Sequence, residues 1–250
     1  MKSNICTFFH DSYTRKGFFA YYFHFLKRNF EFDYNYARLK GPNDCWISRR
    51  DLLKIDEGQI LLKLESLNLR GVCLDIGAFI GHITILFAKK GSRVIAVEPD
   101  KRNIVYLKHN LKINKINNVE IFPYVIDVND GWSRLVVAPN SAGNSLYQNG
   151  FTLNKKALSL LSLLNKINES KIDIIKMDIQ GAEYRILKSA PNQVFKQVDK
   201  WMVECHSSNK SENQELEKFF RKNNYQVEWL GEQGINSEIP HLFATKIPTN

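Results

Sequence analysis

Val72-Cys73-Leu74-Asp75-Ile76-Gly77-Ala78-Phe79-Ile80-Gly81 is the stretch that decides how this chain folds. A short apolar run reaches an acid and then turns through two glycines. A second apolar run, Val94-Ile95-Ala96-Val97, ends in Glu98. Strand, glycine turn, helix and acid-tipped strand together describe the nucleoside-binding half of a doubly wound α/β domain. The spacing Asp75-x-Gly77-x-x-x-Gly81 departs from the G-x-G-x-x-G loop, which aims a helix N-terminus at a pyrophosphate. An acid before the first glycine suits a cationic ligand better. S-adenosylmethionine (SAM), with an ammonium, a sulfonium and no phosphate, meets that condition.

The same rhythm continues on both sides. Ile60, Leu61, Leu64 and Leu67 recur at helical spacing and predict a helix over 56–67. Strands are expected at 72–76, 93–97 and 119–123, with helices over 80–90 and 100–114, the latter N-capped by Asp100. Between 124 and 170 the alternation breaks. Residues 133–137 read as a short extra strand, 139–145 as a loop and 154–166 as a leucine-rich helix, an insert suited to substrate contacts. Ile172 to Asp178 is a fourth strand, and 200–205 a fifth that runs into Glu204-Cys205-His206. A helix over 212–222 and strands near 225–230 and 241–246 complete the domain.

With 250 residues the chain is long enough for one large α/β domain and an appendage. Residues 1–56 form a separate zone, rich in Phe and Tyr and interleaved with Arg15, Lys16, Lys27, Arg28, Arg38 and Lys40. Residues 12–29 suit an aromatic helix, and 31–50 look extended around the turn signal Gly41-Pro42-Asn43-Asp44. We read 1–56 as a cap on a 57–250 domain. A substrate lid, a homodimer surface or a membrane-surface contact are the sharper alternatives. No apolar run approaches the ~20 residues of a membrane helix. The segment from Gly17 to Leu26 is short and aromatic, so no signal peptide is read. Cys6, Cys45, Cys73 and Cys205 make no C-x-x-C pair. Cys73 and Cys205 fall in expected strands and read as buried, reduced thiols, which favours a cytoplasmic setting. The net charge of +9 fits a polyanionic partner, but lysines spread over solvated helix faces account for it more simply.

Ligands of an open α/β sheet bind at the carboxyl ends of its strands. Those ends carry Asp75, Glu98, Asp178 and Glu204, with His206 just beyond and Asp127 after the third strand. So many like charges repel unless cations meet them, and a sulfonium nucleoside brings two. Gly77 and Gly81 allow close backbone approach. Glu98 follows Gly77 at the distance of about 20 residues at which an acid meets ribose hydroxyls. Asp127 is a candidate acceptor for the adenine amino group, or simply a turn carboxylate. Asp178, Glu204 and His206 are the candidate bases or substrate-positioning groups. They could instead hold a divalent metal; no tight ligand spacing supports that, and no metal is assigned. Lys176 faces the same side as Asp178, to pair with an acid or to snorkel.

Leu74-Asp75-Ile76-Gly77-Ala78, Lys176-Met177-Asp178-Ile179-Gln180-Gly181-Ala182-Glu183 and Glu204-Cys205-His206 resemble the FkbM family of SAM-dependent methyltransferases, whose fourth-strand signature is K-x-D-x-E-G-x-E. Asp130-Gly131 and Asn144-Ser145 resemble it too, and the likeness spans about 45–230. It implies a class I methyltransferase fold: a Rossmann-like, mostly parallel seven-stranded sheet with the last strand antiparallel. It also implies O-methylation of hydroxyls on sugars, glycans or secondary metabolites. It assigns Asp75, Gly77, Ala78, Gly81 and Glu98 to the cofactor and Asp178 to the active-site mouth. Two positions depart from the family pattern, Phe79 for a usual Asn and Gln180 for a usual Glu. An RNA methyltransferase and a non-catalytic SAM-fold binding protein are the rival readings. The charge and the aromatic N-terminus favour the first, and Phe79 and Gln180 favour the second.

Overall fold

The structure, a computed structural model, describes residues 36–39, 45–48, 58–137, 151–206, 210–231, 234 and 239–248. The expected aromatic helix over 12–29 lies outside the described residues, as does the 139–145 loop. Of the 31–50 stretch, β1 (Tyr36–Leu39) and β2 (Cys45–Ser48) are extended and pair antiparallel, and β2 lies against two helices of the main domain.

A seven-stranded sheet organises that domain. β3 (Val72–Ile76), β4 (Arg93–Val97) and β5 (Val119–Phe122) run parallel on one side. β9 (Ile174–Met177) and β10 (Lys200–Glu204) continue the parallel set on the other. β12 (His241–Lys246) lies antiparallel between β10 and β11 (Tyr225–Leu230), so the order is β11-β12-β10-β9-β3-β4-β5. The order reverses between β3 and β9, where crossovers leave toward opposite edges and open a crevice at the carboxyl ends. Every residue of β3 and β9 is buried, which is why both read as apolar runs, interrupted by Asp75 and Lys176 alone.

Helices α1 (Gly58–Ser66), α2 (His82–Lys89), α3 (Lys101–Ile113), α4 (Leu160–Ile167), α5 (Glu183–Ser189), α6 (Asn192–Gln197) and α7 (Lys210–Lys222) flank the sheet. Asp100 caps α3 as expected, its carboxylate accepting from the Arg102 N–H at 2.8 Å. One face packs Leu74, Ile76, Met177, Ile186 and Trp201, and the other packs Leu64, Phe87, Ile174 and Met202. Phe195, Trp201, Phe219, Phe220 and Tyr225 stack edge to face near β12. Cys73 and Cys205 are buried free thiols. Among the described residues no helix is long and apolar enough to cross a membrane.

The insert corrects one expectation. Residues 154–158 are not helical: they belong to β8 (Phe151–Leu158), and the helix begins only at Leu160. β8 pairs antiparallel with β7 (Gly131–Val137) and parallel with β6 (Val125–Ile126), forming a three-stranded side sheet. Asn154, Lys155, Lys156 and Ala157 alternate outward and inward, a period of two that the following leucines mask. Ser159 then starts α4 by accepting from the Ser162 N–H, while Asp130 accepts from the Ser159 N–H and the Ser162 hydroxyl.

Candidate active site

The glycine loop leaves β3 through three left-handed residues, Gly77 (φ 80°), Phe79 (φ 51°) and Gly81 (φ 95°). The N–H groups of Gly77 and Ala78 both donate to the Val97 carbonyl at 3.0 Å, clamping the loop to the end of β4. The fold itself demands both glycines. A Cβ on Gly77 would stand 1.7 Å from the Asp178 carbonyl oxygen, and one on Gly81 would stand 2.3 Å from Leu107 Cδ1. Close approach here is therefore to the chain's own backbone and core, in addition to any ligand.

Glu98 lies at the end of β4 and is 5% exposed. Its Oε2 accepts from the Phe79 N–H at 2.9 Å, and its Oε1 accepts from the Asp100 N–H at 2.8 Å and from Asn103 at 3.1 Å. Burial pushes its pKa up to about 7 despite those donors. A carboxylate has about four acceptor sites. Three are used, and the remaining one is on Oε2, on the loop side.

Asp75 does not line the crevice openly. It is fully buried, its Oδ2 accepts from Thr84 at 2.5 Å, and its Oδ1 has no hydrogen-bond partner among the described residues. Lys176 on the neighbouring strand links it to the loop. The Lys176 Nζ is 3.8 Å from Asp75 Oδ1, 3.2 Å from Asp178 Oδ2 and 3.4 Å from the Gly77 carbonyl. Of the two roles open to Lys176, the structure shows pairing.

The register of β9 on β10, Val203 opposite Met177, brings Asp178 and Glu204 to one edge. His206 joins them, its Nε2 lying 3.4 Å from Glu204 Oε1 and 3.9 Å from Asp178 Oδ1. Glu183, at the start of α5 and 2% exposed, gathers the turn beneath. It accepts from the N–H groups of Ile179 at 2.9 Å and Gly181 at 3.0 Å, and it meets His206 Nδ1 at 3.1 Å. Gln180, also left-handed (φ 61°), donates to Asp178 Oδ1 at 2.9 Å and sets its amide nitrogen 3.0 Å from His206 Nε2. His241 on β12 lies directly opposite Glu204 on β10, with its Nε2 3.6 Å from Glu204 Oε2.

Electrostatics follow from these contacts. Burial disfavours a charged His206 ring, but hydrogen bonds to Glu183 and Glu204 outweigh it and push the pKa up to about 10. Burial would raise Glu204, yet His206 and His241 hold its carboxyl far below the usual carboxylate range. Burial raises Asp178, with Lys176 opposing. The crowded acids thus find cations within the chain, a supply that the strand-end tally leaves out.

The structure unites Asp75, Gly77, Asp178, Glu204 and His206 around Lys176, and joins Gly77, Ala78 and Glu98 through the loop. Asp127 stands apart from both groups. Its Oδ1 accepts from the Val128 N–H at 2.7 Å and pairs with Arg185 at 2.5 Å, and its Oδ2 accepts from Ser133 at 2.7 Å. These contacts fasten the side sheet to α5. Sequence reasoning missed Glu183 and His241 as site members. Glu183 closes the fourth-strand signature, the signal that marks it. His241 carries no local signal, and only the β10–β12 pairing reveals it.

The profile of the methyltransferase FkbM domain matches residues 75–227. A curated protein of Methanosphaera stadtmanae, named as a ribosomal RNA small subunit methyltransferase A, is 36% identical over 69 residues. That match takes in 27% of this chain and 26% of the relative, so it spans about a quarter of the relative's length. Among solved structures, methyltransferase FkbM of Methylobacillus flagellatus KT superposes with a TM-score of 0.50 at 18% identity, covering 70% of this chain and 43% of that one. An rRNA methylase of Streptococcus thermophilus superposes with a TM-score of 0.50 at 13% identity, covering 85% and 100%. At such identities the superpositions show the fold alone. The family match covers more than half of the chain, from the acid of the glycine loop past the acid–histidine edge, and the chain belongs to the FkbM-domain methyltransferases.

Proposed function

We propose that this methyltransferase moves the methyl group of SAM to a hydroxyl of a sugar, glycan or secondary metabolite. The observation that carries the reading is the contact of Gly77 with Asp178: the loop suited to the donor touches the strand end that bears the acids. The residues fit SAM. Glu98 keeps an acceptor site free for a ribose hydroxyl, and Gly77, Ala78 and Gly81 shape the loop around the nucleoside. Asp75, Asp178, Glu183 and Glu204 outnumber Lys176 and His206, which leaves the crevice the negative lining that an ammonium and a sulfonium require. Asp75, buried, acts through Thr84 and Lys176 to hold the loop. When bound, SAM supplies a methyl carbon already activated by sulfonium.

The chain must align an acceptor oxygen and take its proton. Asp178 suits that task, because burial raises its proton affinity while Lys176 keeps part of the charge matched. Glu204 and His206 position the acceptor. The test measures SAM binding by calorimetry and transfer of labelled methyl to a panel of hydroxylated glycans and small molecules. Asp178→Asn is expected to bind SAM within a few fold of the wild type and to lose about 100-fold or more in turnover. Full turnover in that variant would remove Asp178 from the chemistry.

RNA as acceptor is the second reading, and the side sheet favours it. Trp132 is 72% exposed, and Lys156 lies directly opposite it on β8 with Arg134 two residues along β7. An aromatic ring beside two cations suits stacking on a base. Methyl transfer to RNA that falls in Trp132→Ala, with none to the panel, would replace the first reading by the second.

A further inference from the structure

Asp178, Glu204 and His206 each offer one ligand atom within 4.8 Å of the other two. Donors around one first-row ion, each bonded at 2.0–2.2 Å, stand about 2.8–4.4 Å apart. The His206 separations, 3.4 Å to Glu204 Oε1 and 3.9 Å to Asp178 Oδ1, fall inside that window. We propose that these three side chains bind a divalent first-row cation, Mn2+ or Zn2+, that holds the acceptor's hydroxyl oxygen as a further ligand. This inference rests on the hydroxyl-methylation reading of the same site.

Three independent features support it. First, the His206 ring is oriented from behind. Its Nδ1 is held by Glu183, a buried carboxylate itself fixed by the Ile179 and Gly181 N–H groups, so Nε2 faces the two acids. A carboxylate behind a histidine is the usual support of a metal-binding imidazole, whose Nε2 proton leaves to solvent as the cation binds. Second, Gln180 brings its amide end to the same point, 2.9 Å from Asp178 Oδ1 and 3.0 Å from His206 Nε2. A half-turn of the amide plane replaces nitrogen by the carbonyl oxygen and makes a fourth, neutral donor. Third, Lys176 has a second carboxylate to turn to. The buried Asp75 Oδ1, without a hydrogen-bond partner among the described residues, lies 3.8 Å from its Nζ. A cation arriving at Asp178 can therefore displace Lys176 toward Asp75 without leaving a buried ammonium unpaired.

Two carboxylates and one imidazole suit Mn2+ or Zn2+ rather than a soft thiophilic ion. Coordination would lower the pKa of the acceptor hydroxyl. Its O–H bond then breaks with the proton passing to Asp178 Oδ2, the oxygen that Lys176 leaves as it turns to Asp75, and the acceptor oxygen bonds the methyl carbon as the carbon–sulfur bond breaks.

The experiment uses the full chain, stripped with EDTA and dialysed. Mn2+ is titrated by the loss of its free-ion paramagnetic resonance signal and Zn2+ by calorimetry, and SAM binding is measured on the same samples. One saturable site is expected on the wild type. His206→Ala and Glu204→Gln should each weaken it at least tenfold, and Glu183→Gln should weaken it by about 10–100-fold through the histidine alone. A wild-type chain that binds neither cation overturns the proposal, and so does binding that persists unchanged in His206→Ala. SAM binding retained in those samples would show that the methyl-donor reading survives the loss of the metal. Loss of both would sink the two together.

Discussion

The two halves of the crevice are held by different forces. On the β3–β4 side the loop is fixed by backbone: two N–H groups on one carbonyl, left-handed turns, and glycines that leave room for Asp178 and Leu107. On the β9–β10 side the geometry is fixed by side-chain charge: Lys176 among Asp75 and Asp178, and His206 among Glu183, Glu204 and Asp178. In the first half the loop N–H of Phe79 meets one carboxylate, Glu98, whereas the second half is a network of paired charges. Backbone-built sites tolerate changes of salt but not of volume. Charge-built sites behave the opposite way.

The sharpest break of that contrast is Gly77→Ala. A methyl cannot share 1.7 Å with a carbonyl oxygen, and the position is left-handed as well. Strain of about 1–3 kcal/mol from the dihedral adds to an overpacking cost of similar size. Thermal unfolding should show the largest loss of any single substitution at the site, and calorimetry should find SAM binding abolished. An unfolding midpoint within a degree of the wild type would mean that the loop yields, and the backbone-built description would fall.

Glu98 sharpens the comparison, because it brings a titrating group into the backbone-built half. Its pKa, about 7 in the fold, is raised above the ordinary 4.5. The folded chain therefore holds the proton more tightly than the unfolded chain. Glu98's contribution to stability is complete below the ordinary value and is lost as pH climbs through the window to 7. Ribose hydroxyls bind the ionised form, so SAM affinity should run the other way. It should rise about tenfold from pH 6 to pH 8 and then level off. Glu98→Gln should flatten that dependence and bind more weakly by about 1–3 kcal/mol. A pH-independent affinity in the wild type, matched by the variant, would take Glu98 out of the donor site.

How much of this could be read beforehand divides along the same line. The β3–β4 half was legible because its information is local. Acid, glycine spacing and strand lie within about twenty residues, and strands 72–76, 93–97, 225–230 and 241–246 have the observed bounds. The β9–β10 half showed its acids but not its wiring. Lys176 reaches Gly77 across ninety-nine residues, and His241 meets Glu204 only through an antiparallel ladder. No residue spacing encodes such pairs. Asp127 follows the expected third strand, and its partners Arg185 and Ser133 come from α5 and the side sheet, contacts set by tertiary packing. Residues 154–158 misled for a related reason: leucines on both sides suggest a helix, and β7 supplies the pairing that overrides it.

Phe79 gives the smallest expected effect and the finest test of the backbone-built half. It is half-buried and left-handed, and the left-handed region costs an L-residue about 1–2 kcal/mol. Asparagine visits that region readily, and it is the residue that the family usually carries there. Its N–H to Glu98 Oε2 is a backbone bond, so Phe79→Asn keeps it and changes only the side chain. The variant should be more stable by about 0.5–1 kcal/mol, a rise of about 1–4 °C in Tm for a chain of this size. A fall in Tm would show that the phenyl ring contributes more by packing than its backbone conformation costs. Position 79 would then be held by its side chain, and the division between a backbone-built and a charge-built half would need a third, apolar component.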